Sequence, residues 1–268
     1  MTTARALLSC FPSAPWAVPT STISAGPYLL RFARTEADLE PILRLRYEVF
    51  NRELQQGLDS AHAAGLDEDR FDRQFHHLLV EARETGEFVG TYRLQTGEMA
   101  NHSGSYCAGL FQLESLPDIT RKRAIEVGRG CIARQHRSGR VLNLLWRGFA
   151  NYMAWNRKSV LFGCCSLTSQ DQALGLTVHR HLEQMGAEHP TIRVEPTLTA
   201  SCRAGGHLPA TGPVSPPPKI PALFQACLTM GARILGPPAI DREFKTIDWL
   251  VLLDTAELDR FTYQAFFK

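Results

Sequence analysis

Ile125-Glu126-Val127-Gly128-Arg129-Gly130-Cys131-Ile132-Ala133-Arg134-Gln135-His136-Arg137-Ser138-Gly139-Arg140 is the stretch whose reading decides the fold. Its first half, through Ala133, is an extended run, and its second half is basic and closes on a glycine. Beyond it Leu142, Leu145, Phe149 and Met153, backed by Trp146 and Ala150, mark an amphipathic helix. Strand, basic loop and helix in that order bring Arg134, Arg137, Gly139 and Arg140 to a helix N-terminus. Backbone N–H groups and the helix dipole there favour an anion. Ser159–Leu167 follows as a short, almost wholly apolar run that suits a strand buried on both faces. The chain is therefore an α/β or α+β protein.

Working outward, Tyr28–Arg34 reads as a strand. Thr35 offers an N-cap, with Asp38 three residues on, for a helix over 36–54 whose apolar face carries Leu39, Leu43 and Phe50. His77–Ala82 and Glu87–Thr96, with Glu-Thr-Gly between them as turn material, read as a hairpin. A further helix is expected around Gln172–Met185, an extended stretch at Thr191–Thr197, a helix over Ala222–Leu235 and a last strand at Trp249–Asp254. Residues 201–222 hold six prolines and three glycines, which predicts a long loop. Residues 1–26, rich in Ser, Thr, Ala and Pro, are expected to be a disordered extension, leaving 27–268 as a single domain. The apolar fraction of 44% and charged fraction of 21% exclude a wholly disordered chain. Seven cysteines without a C-x-x-C pair argue against a disulfide framework and a structural zinc site, and suit a reducing cytoplasm. No stretch approaches the roughly 18–20 apolar residues that cross a bilayer.

A net charge of +2 gives no reason to expect nucleic acid, but it hides an asymmetry. Residues 48–98 carry 11 acidic and 5 basic side chains; residues 121–158 carry ten basic ones and a single acid, Glu126. The basic segment points to an anionic partner, and DNA, a phosphopantetheine carrier and an anionic membrane surface fit it equally well. Glu126, mid-strand between Ile125 and Val127, is costly there unless paired or solvated. It is either a structural partner of Arg129 or a general base. A regular strand puts Arg129 on the opposite face; a bulge at Gly128 or Gly130 would change that and free a backbone N–H for an oxyanion. Arg46 lies near the apolar face of helix 36–54 and reads, from the residues alone, as a surface arginine lying over the core. Asp69 and Asp72 are too few for a metal site and suit a cation or the arginines of their own loop, with Arg93 as a partner. His62 and Asp67 form a chance His-x4-Asp. His179 and His181 point apart on a helix, and Cys164 and Cys165 read as buried strand residues. No Ser-His-Asp set or Gly-x-Ser-x-Gly elbow is present, which speaks against a covalent acyl-enzyme.

The strand, loop and helix at 125–153 resemble the corresponding segment of the GNAT acyltransferase superfamily, although His136-x-x-Gly139-x-Val141 keeps only the central glycine of its pyrophosphate loop. A narrower resemblance rests on Leu-Arg-Tyr-Glu-Val-Phe at 45–50, Asp-Glu-Asp-Arg-Phe-Asp at 67–72, His-Leu-Leu-Val at 77–80 and Val-Gly-Thr-Tyr-Arg-Leu at 89–94. Glu-Val-Gly-Arg at 126–129, Leu-Leu-Trp-Arg-Gly at 144–148, Leu-Phe-Gly-Cys-Cys-Ser at 161–166 and Ala-Ile-Asp-Arg-Glu-Phe-Lys-Thr-Ile-Asp at 239–248 complete it. In that order they resemble the ornithine-lipid N-acyltransferases, from about Tyr28 to Asp254. The first half is also similar to acyl-homoserine-lactone synthases.

The resemblance implies a GNAT-like fold, with a mixed, mostly antiparallel central sheet flanked by helices. It implies transfer of a 3-hydroxyacyl chain from acyl carrier protein to the α-amine of ornithine, with no cofactor beyond the acyl donor and no metal. Glu126 carries over as the general base, and Arg46, Phe50, Asp69, Asp72, Arg93 and Arg129 as substrate-site residues. Arg134, Arg137, Gly139 and Arg140 are expected to meet the carrier, and the degraded loop favours a carrier protein over coenzyme A. A lactone synthase, another N-acyl amino acid synthase and an inactive carrier-binding module are the alternatives. Peripheral contact with an anionic inner membrane face is expected from the basic segment and the apolar helix at 222–235.

Overall fold

The computed structural model describes residues 11–202 and 218–267. A hairpin of β1 (Ile23–Ala25) and β2 (Tyr28–Phe32) leads into α1 (Glu36–Tyr47). Asp38 fixes the start of that helix, its Oδ2 accepting from the backbone N–H of Arg34 at 2.9 Å and of Thr35 at 3.1 Å. The chain continues as a π-helical turn over Glu48–Glu53, so the single helix expected over 36–54 is an α-helix closed by one wide turn. That turn keeps Val49 and Phe50 in the core.

After α2 (Ala61–Ala64) come the expected hairpin, β3 (His76–Ala82) and β4 (Phe88–Thr96), then the short α3 (Gly97–Ser103) and α4 (Asp118–Arg123). β5 (Ala124–Ile132), α5 (Arg140–Trp155) and β6 (Val160–Leu167) form the strand, loop, helix and strand of the opening stretch. α6 (Gln172–Gln184), α7 (Ala222–Thr229), β7 (Arg233–Ile234), β8 (Ala239–Asp241), β9 (Thr246–Asp254) and α8 (Arg260–Phe267) complete the chain. The strands form one sheet in the order β1-β2-β3-β4-β5-β6-β9-β7, with β8 also on β9. Every pairing is antiparallel except β5 with β6. This is the mixed, mostly antiparallel sheet that the sequence implied.

The two faces of the sheet differ. On one, α5 lays Val141, Leu144, Leu145, Phe149 and Met153 over Leu30, Leu78, Leu94 and Ile125, while Phe224 of α7 and Leu176 of α6 pack with Trp249 and Val251. On the other lie Ile42 of α1 against Leu79 and the 107–116 segment against Leu250 and Leu252.

Two expectations are corrected. Residues 11–26 are not a disordered extension: Pro15–Ala17 form a 3-10 turn, Val18 is buried and β1 pairs with β2, while residues 1–10 lie outside the described residues. Thr191–Thr197, expected as an extended stretch, joins no strand of the sheet and is held by separate bonds, Val194 N–H to Leu235 O at 2.7 Å and Gln112 N–H to Glu195 O at 2.9 Å, with a bridge between Pro196 and Phe111. The helix expected over 222–235 stops at Thr229, because Gly231 turns at φ 100° and sends Arg233–Ile234 onto β9. Most of the 201–222 loop, 203–217, lies outside the described residues.

His76 and His77 at the start of β3 are both fully buried. Nε2 of His76 donates to Ser13 O at 2.5 Å, so Nδ1 accepts from the Tyr152 hydroxyl at 2.7 Å. His77 Nε2 donates to Asp72 O at 2.7 Å. Burial holds both rings down at about 4, from an ordinary 6.5. The unfolded chain therefore takes up two protons below about 6.5 that the folded one refuses until about 4, and stability falls as the pH drops through that window. Asp248 on β9, pushed by burial up to about 7, keeps a proton in the folded state between 3.8 and 7 and offsets one of the two. Denaturant titrations are expected to show a net loss of about 3 kcal/mol between pH 6.5 and pH 4; a flat profile would mean that the two imidazoles are not held neutral.

Candidate active site

β5 and β6 run parallel and paired from Ala124 opposite Val160 to Val127 opposite Gly163. Pairing ends there. β5 stays with β4 as far as Ile132, and β6 stays with β9 as far as Leu167 opposite Ile247, so the two halves of the sheet part. A cavity of about 500 Å³ occupies the opening. Arg93, Glu126, Arg129 and Asp248 line it on the α1 side, and Tyr92, Val127, Cys227 and Val251 on the α5 side. A smaller recess of about 80 Å³, apolar throughout, adjoins it across Tyr92, Val127, Gly163, Cys227 and Val251, and is closed by Trp146, Phe149, Met230, Phe266 and Phe267. The opening therefore joins a charged chamber on one face of the sheet to an apolar one on the other.

At its edge the β4–β5 register jumps, from Thr91 opposite Cys131 to Arg93 opposite Gly128. Tyr92 alone thus faces Arg129 and Gly130, a bulge at the place where the sequence allowed one. Arg129 takes φ 50°. A Cβ on residue 130 would lie 2.1 Å from the Tyr92 ring, so only glycine fits there. The bulge turns the Arg129 side chain to the charged side, where a regular strand would have put it on the other face.

There Arg46, Arg93 and Arg129 meet Asp67, Asp69 and Asp72. Arg46 grips Asp72 with two N–H groups at 2.5 and 3.2 Å and reaches Asp67 at 2.7 Å. Arg93 Nη1 bridges Asp69 at 2.7 Å and Asp72 at 2.9 Å; Arg129 donates to Asp69 at 3.1 Å and lies 3.6 Å from Asp67. Arg46 and Arg93 are 1% and 2% exposed, so Arg46 is not the surface arginine that the residues alone suggested. Burial alone would raise the Asp72 carboxyl; Arg46 and Arg93 outweigh it and hold the group far below its ordinary range. Burial likewise opposes the charge on Arg46, and Asp67 and Asp72 raise it nonetheless. The Arg129 guanidinium also sits 3.6 Å above the Phe244 ring, which packs edge-on against Phe50 at 5.3 Å. Arg46, Phe50, Asp69, Asp72, Arg93 and Arg129 are thus brought together. Asp67 joins them, and its partner is Arg46; His62 instead meets the Tyr47 hydroxyl at 3.3 Å.

Glu126 is 3% exposed and is not the ion-pair partner of Arg129. Its Oε1 accepts from the Cys107 backbone N–H at 2.8 Å and its Oε2 from Gln95 Nε2 at 2.9 Å. Two donors fix its plane at the mouth of the opening. Arg134, Arg137, Gly139 and Arg140 lie away from it, exposed, on the Arg134–His136 turn and at the start of α5, where Gly139 takes φ 81°. Arg137 forks onto Glu53 at 2.5 and 2.8 Å and donates to Ile132 O, so acidic residues of the π turn offset part of the basic segment in space.

The chain was compared with known proteins. A family model described as acetyltransferase (GNAT) domain matches residues 45–147, from the end of α1 to the middle of α5. A protein of Rhodobacter capsulatus named L-ornithine N(alpha)-acyltransferase is 30% identical over 247 residues, 87% of this chain and 93% of that one. One of Brucella abortus with the same name is 30% identical over 251 residues, 85% and 84% of the two chains. The chain belongs to the L-ornithine N(alpha)-acyltransferase family. It is an acyltransferase with a GNAT fold. Among solved structures the AHL synthase LasI is similar at 12% identity and TM-score 0.49, over 90% of this chain and 94% of that one, a likeness that carries no inference about activity.

In this acyltransferase Gln95, Tyr106 and Asp248 had no role assigned from the sequence, and Asp67 entered only as half of a chance His-x4-Asp. Gln95 follows Arg93 by two residues on β4 and so shares its face, a signal that was available. Tyr106 donates to Asp241 and accepts from Arg129 at 3.3 Å, which nothing in its own segment announces. The charge cluster carries the prediction. Asp72→Asn leaves two buried guanidiniums short of a carboxylate and is expected to lower stability by about 3–5 kcal/mol, measured by denaturant unfolding. A loss below about 1 kcal/mol would show that the cluster is solvated and not a sealed network.

Proposed function

We propose that the chain transfers a long acyl chain, 3-hydroxyacyl by its resemblance, from acyl carrier protein to the α-amine of ornithine, giving lyso-ornithine lipid. The observation that carries the reading is the joined pair of chambers, with Glu126 fixed at the junction. An amino acid suits the charged side, and the first carbons of a hydrocarbon chain suit the recess of about 80 Å³ lined by Trp146, Phe149, Phe266 and Phe267. The thioester then lies in the gap between β5 and β6. Glu126 takes a proton from the α-ammonium, directly or through water. The freed amine attacks the thioester carbon, and a backbone N–H of the 129–130 bulge receives the carbonyl oxygen as it becomes an oxyanion. The carbon–nitrogen bond has then formed. Collapse breaks the carbon–sulfur bond; the carrier's thiolate leaves and takes up the proton that the attacking nitrogen sheds as the amide forms, and Glu126 returns its own proton to water.

The donor reading is supported by the exposed arginines at the start of α5. Acyl carrier proteins are acidic, and a basic surface steers such a partner in a salt-dependent way. The same charges support weak contact with anionic lipid, into which the product must pass. No helix of the described residues is long and apolar enough to cross a membrane. α7 lends little to membrane contact, since its Phe224 is buried against Trp249 at 5.6 Å.

Glu126→Gln keeps an acceptor oxygen for one of the two donors, Cys107 N–H or Gln95 Nε2, but cannot take a proton. With purified protein, acyl carrier protein thioester and ornithine, it is expected to fold normally and to lower single-turnover transfer by roughly 10²–10⁴. Transfer at the wild-type rate would remove Glu126 from the mechanism. The double variant Arg134→Glu, Arg140→Glu, which spares the Arg137–Glu53 pair, is expected to raise KM for the acyl carrier protein and not for ornithine. It should also abolish low-salt flotation with anionic vesicles. An equal rise in both KM values would contradict a docking role.

A further inference from the structure

Asp248 stands out among the carboxylates of the cavity because its ionic needs are unmet. It is 2% exposed and lines the opening. Oδ2 accepts from the Thr246 hydroxyl at 3.1 Å, but Oδ1 has no partner within 3.5 Å among the described residues, and the only other polar group acting on the carboxyl from β6 is the Ser166 hydroxyl, which lowers its pKa. Every other buried carboxylate around it is engaged: Asp241 by the Tyr106 hydroxyl and the Phe244 N–H, Glu126 by Gln95 and Cys107. A buried carboxylate oxygen without a donor is costly, and native structures seldom leave one so. Burial, with Asp241 nearby, pushes this carboxyl up to about 7, the mark of a site short of positive charge.

Its placement says what charge would fill it. Asp248 pairs with Ser166, and Glu126 pairs with Phe162, so both carboxylates project from the same face of the sheet, with Cys164 between. The two levels are four residues apart on β6, about 13 Å of strand, and the side chains shorten that distance. Asp248 is thus too far from the β5–β6 gap to serve as the base there. It is placed instead to meet the far end of an extended amino acid whose α-amine lies at Glu126. The arginines of the chamber are already taken by aspartates, so none of them fills the place.

We propose that Asp248 is the subsite for the acceptor's side-chain ammonium and sets the preference for an amino acid with a cationic side chain. Bound there, the ammonium donates to Oδ1, and its charge draws the carboxyl back to the ionised form. The proposal deepens the reading of an amino-acid acceptor and rests on it.

The test compares ornithine with norvaline, which has the same carbon chain without the terminal amine, as acceptors for the purified protein with acyl carrier protein thioester. The wild-type protein is expected to favour ornithine in kcat/KM by roughly 10²-fold or more. Asp248→Asn is expected to bring the two acceptors within about tenfold of each other, chiefly by raising KM for ornithine. Equal use of both acceptors by the wild-type protein would overturn the proposal without any variant. So would an Asp248→Asn protein that loses both activities in parallel, as a merely structural role requires. Failure of the wild-type protein to acylate any amino acid would be a different result, and would overturn the acceptor reading itself.

Discussion

One carboxylate ties the charged half of this molecule together. Asp72 is held by Arg46 from α1 and by Arg93 from β4, while its own backbone oxygen accepts from His77 at the start of β3. The loop from Asp67 to Asp72, polar in sequence and without a strand or long helix of its own, would have no reason to lie in the interior otherwise. Three arginines and three aspartates cancel in charge. Taking any one away strands its partners in a medium that solvates them poorly. These residues thus organise the chamber more than they furnish it: their donors and acceptors are largely spent on one another, which leaves Glu126 and Asp248 as the carboxylates facing the cavity.

The second constraint is topological. A single parallel pairing in an otherwise antiparallel sheet cannot be kept up when β6 must follow β9 and β5 must follow β4. It ends at Val127 and Gly163. Everything useful for acyl transfer collects at that point. The bulge at Arg129 and Gly130 breaks the β5 ladder beside it, Glu126 projects on one face, and the apolar recess under α5 and α8 opens on the other. A polar acceptor and a hydrocarbon tail can thus meet through the sheet without either entering the other's chamber.

The strands and helices with strong periodicity were legible: α1, the β3–β4 hairpin, β5, α5, β6 and α6 lie close to where alternation or helical spacing puts them. What was not legible depended on distant partners. β1 is three residues long and exists because β2 is beside it; α7 ends early because Gly231 and the edge of β9 redirect the chain. Arg46 shows the same limit within the site. On a helix its position near the apolar face cannot tell a guanidinium lying over the core from one buried against aspartates 21 and 26 residues away. The residues alone put it at the surface, whereas it is 1% exposed. Asp248 ends the 239–248 motif but had no role assigned: the last strand was expected to begin at Trp249, whereas it begins at Thr246, so nothing in the pattern put the aspartate on the sheet.

The central claim is that an amine held at Glu126 attacks a thioester lying in the β5–β6 gap. Its most direct test is the position of the new amide. Ornithine labelled with nitrogen-15 at the α-position, incubated with the protein and acyl carrier protein thioester, gives a product whose fragmentation by mass spectrometry locates the acyl group. The account predicts an amide on the labelled α-nitrogen with the terminal amine free. Acylation of the terminal nitrogen, an ester or the absence of any acylated amino acid would contradict it.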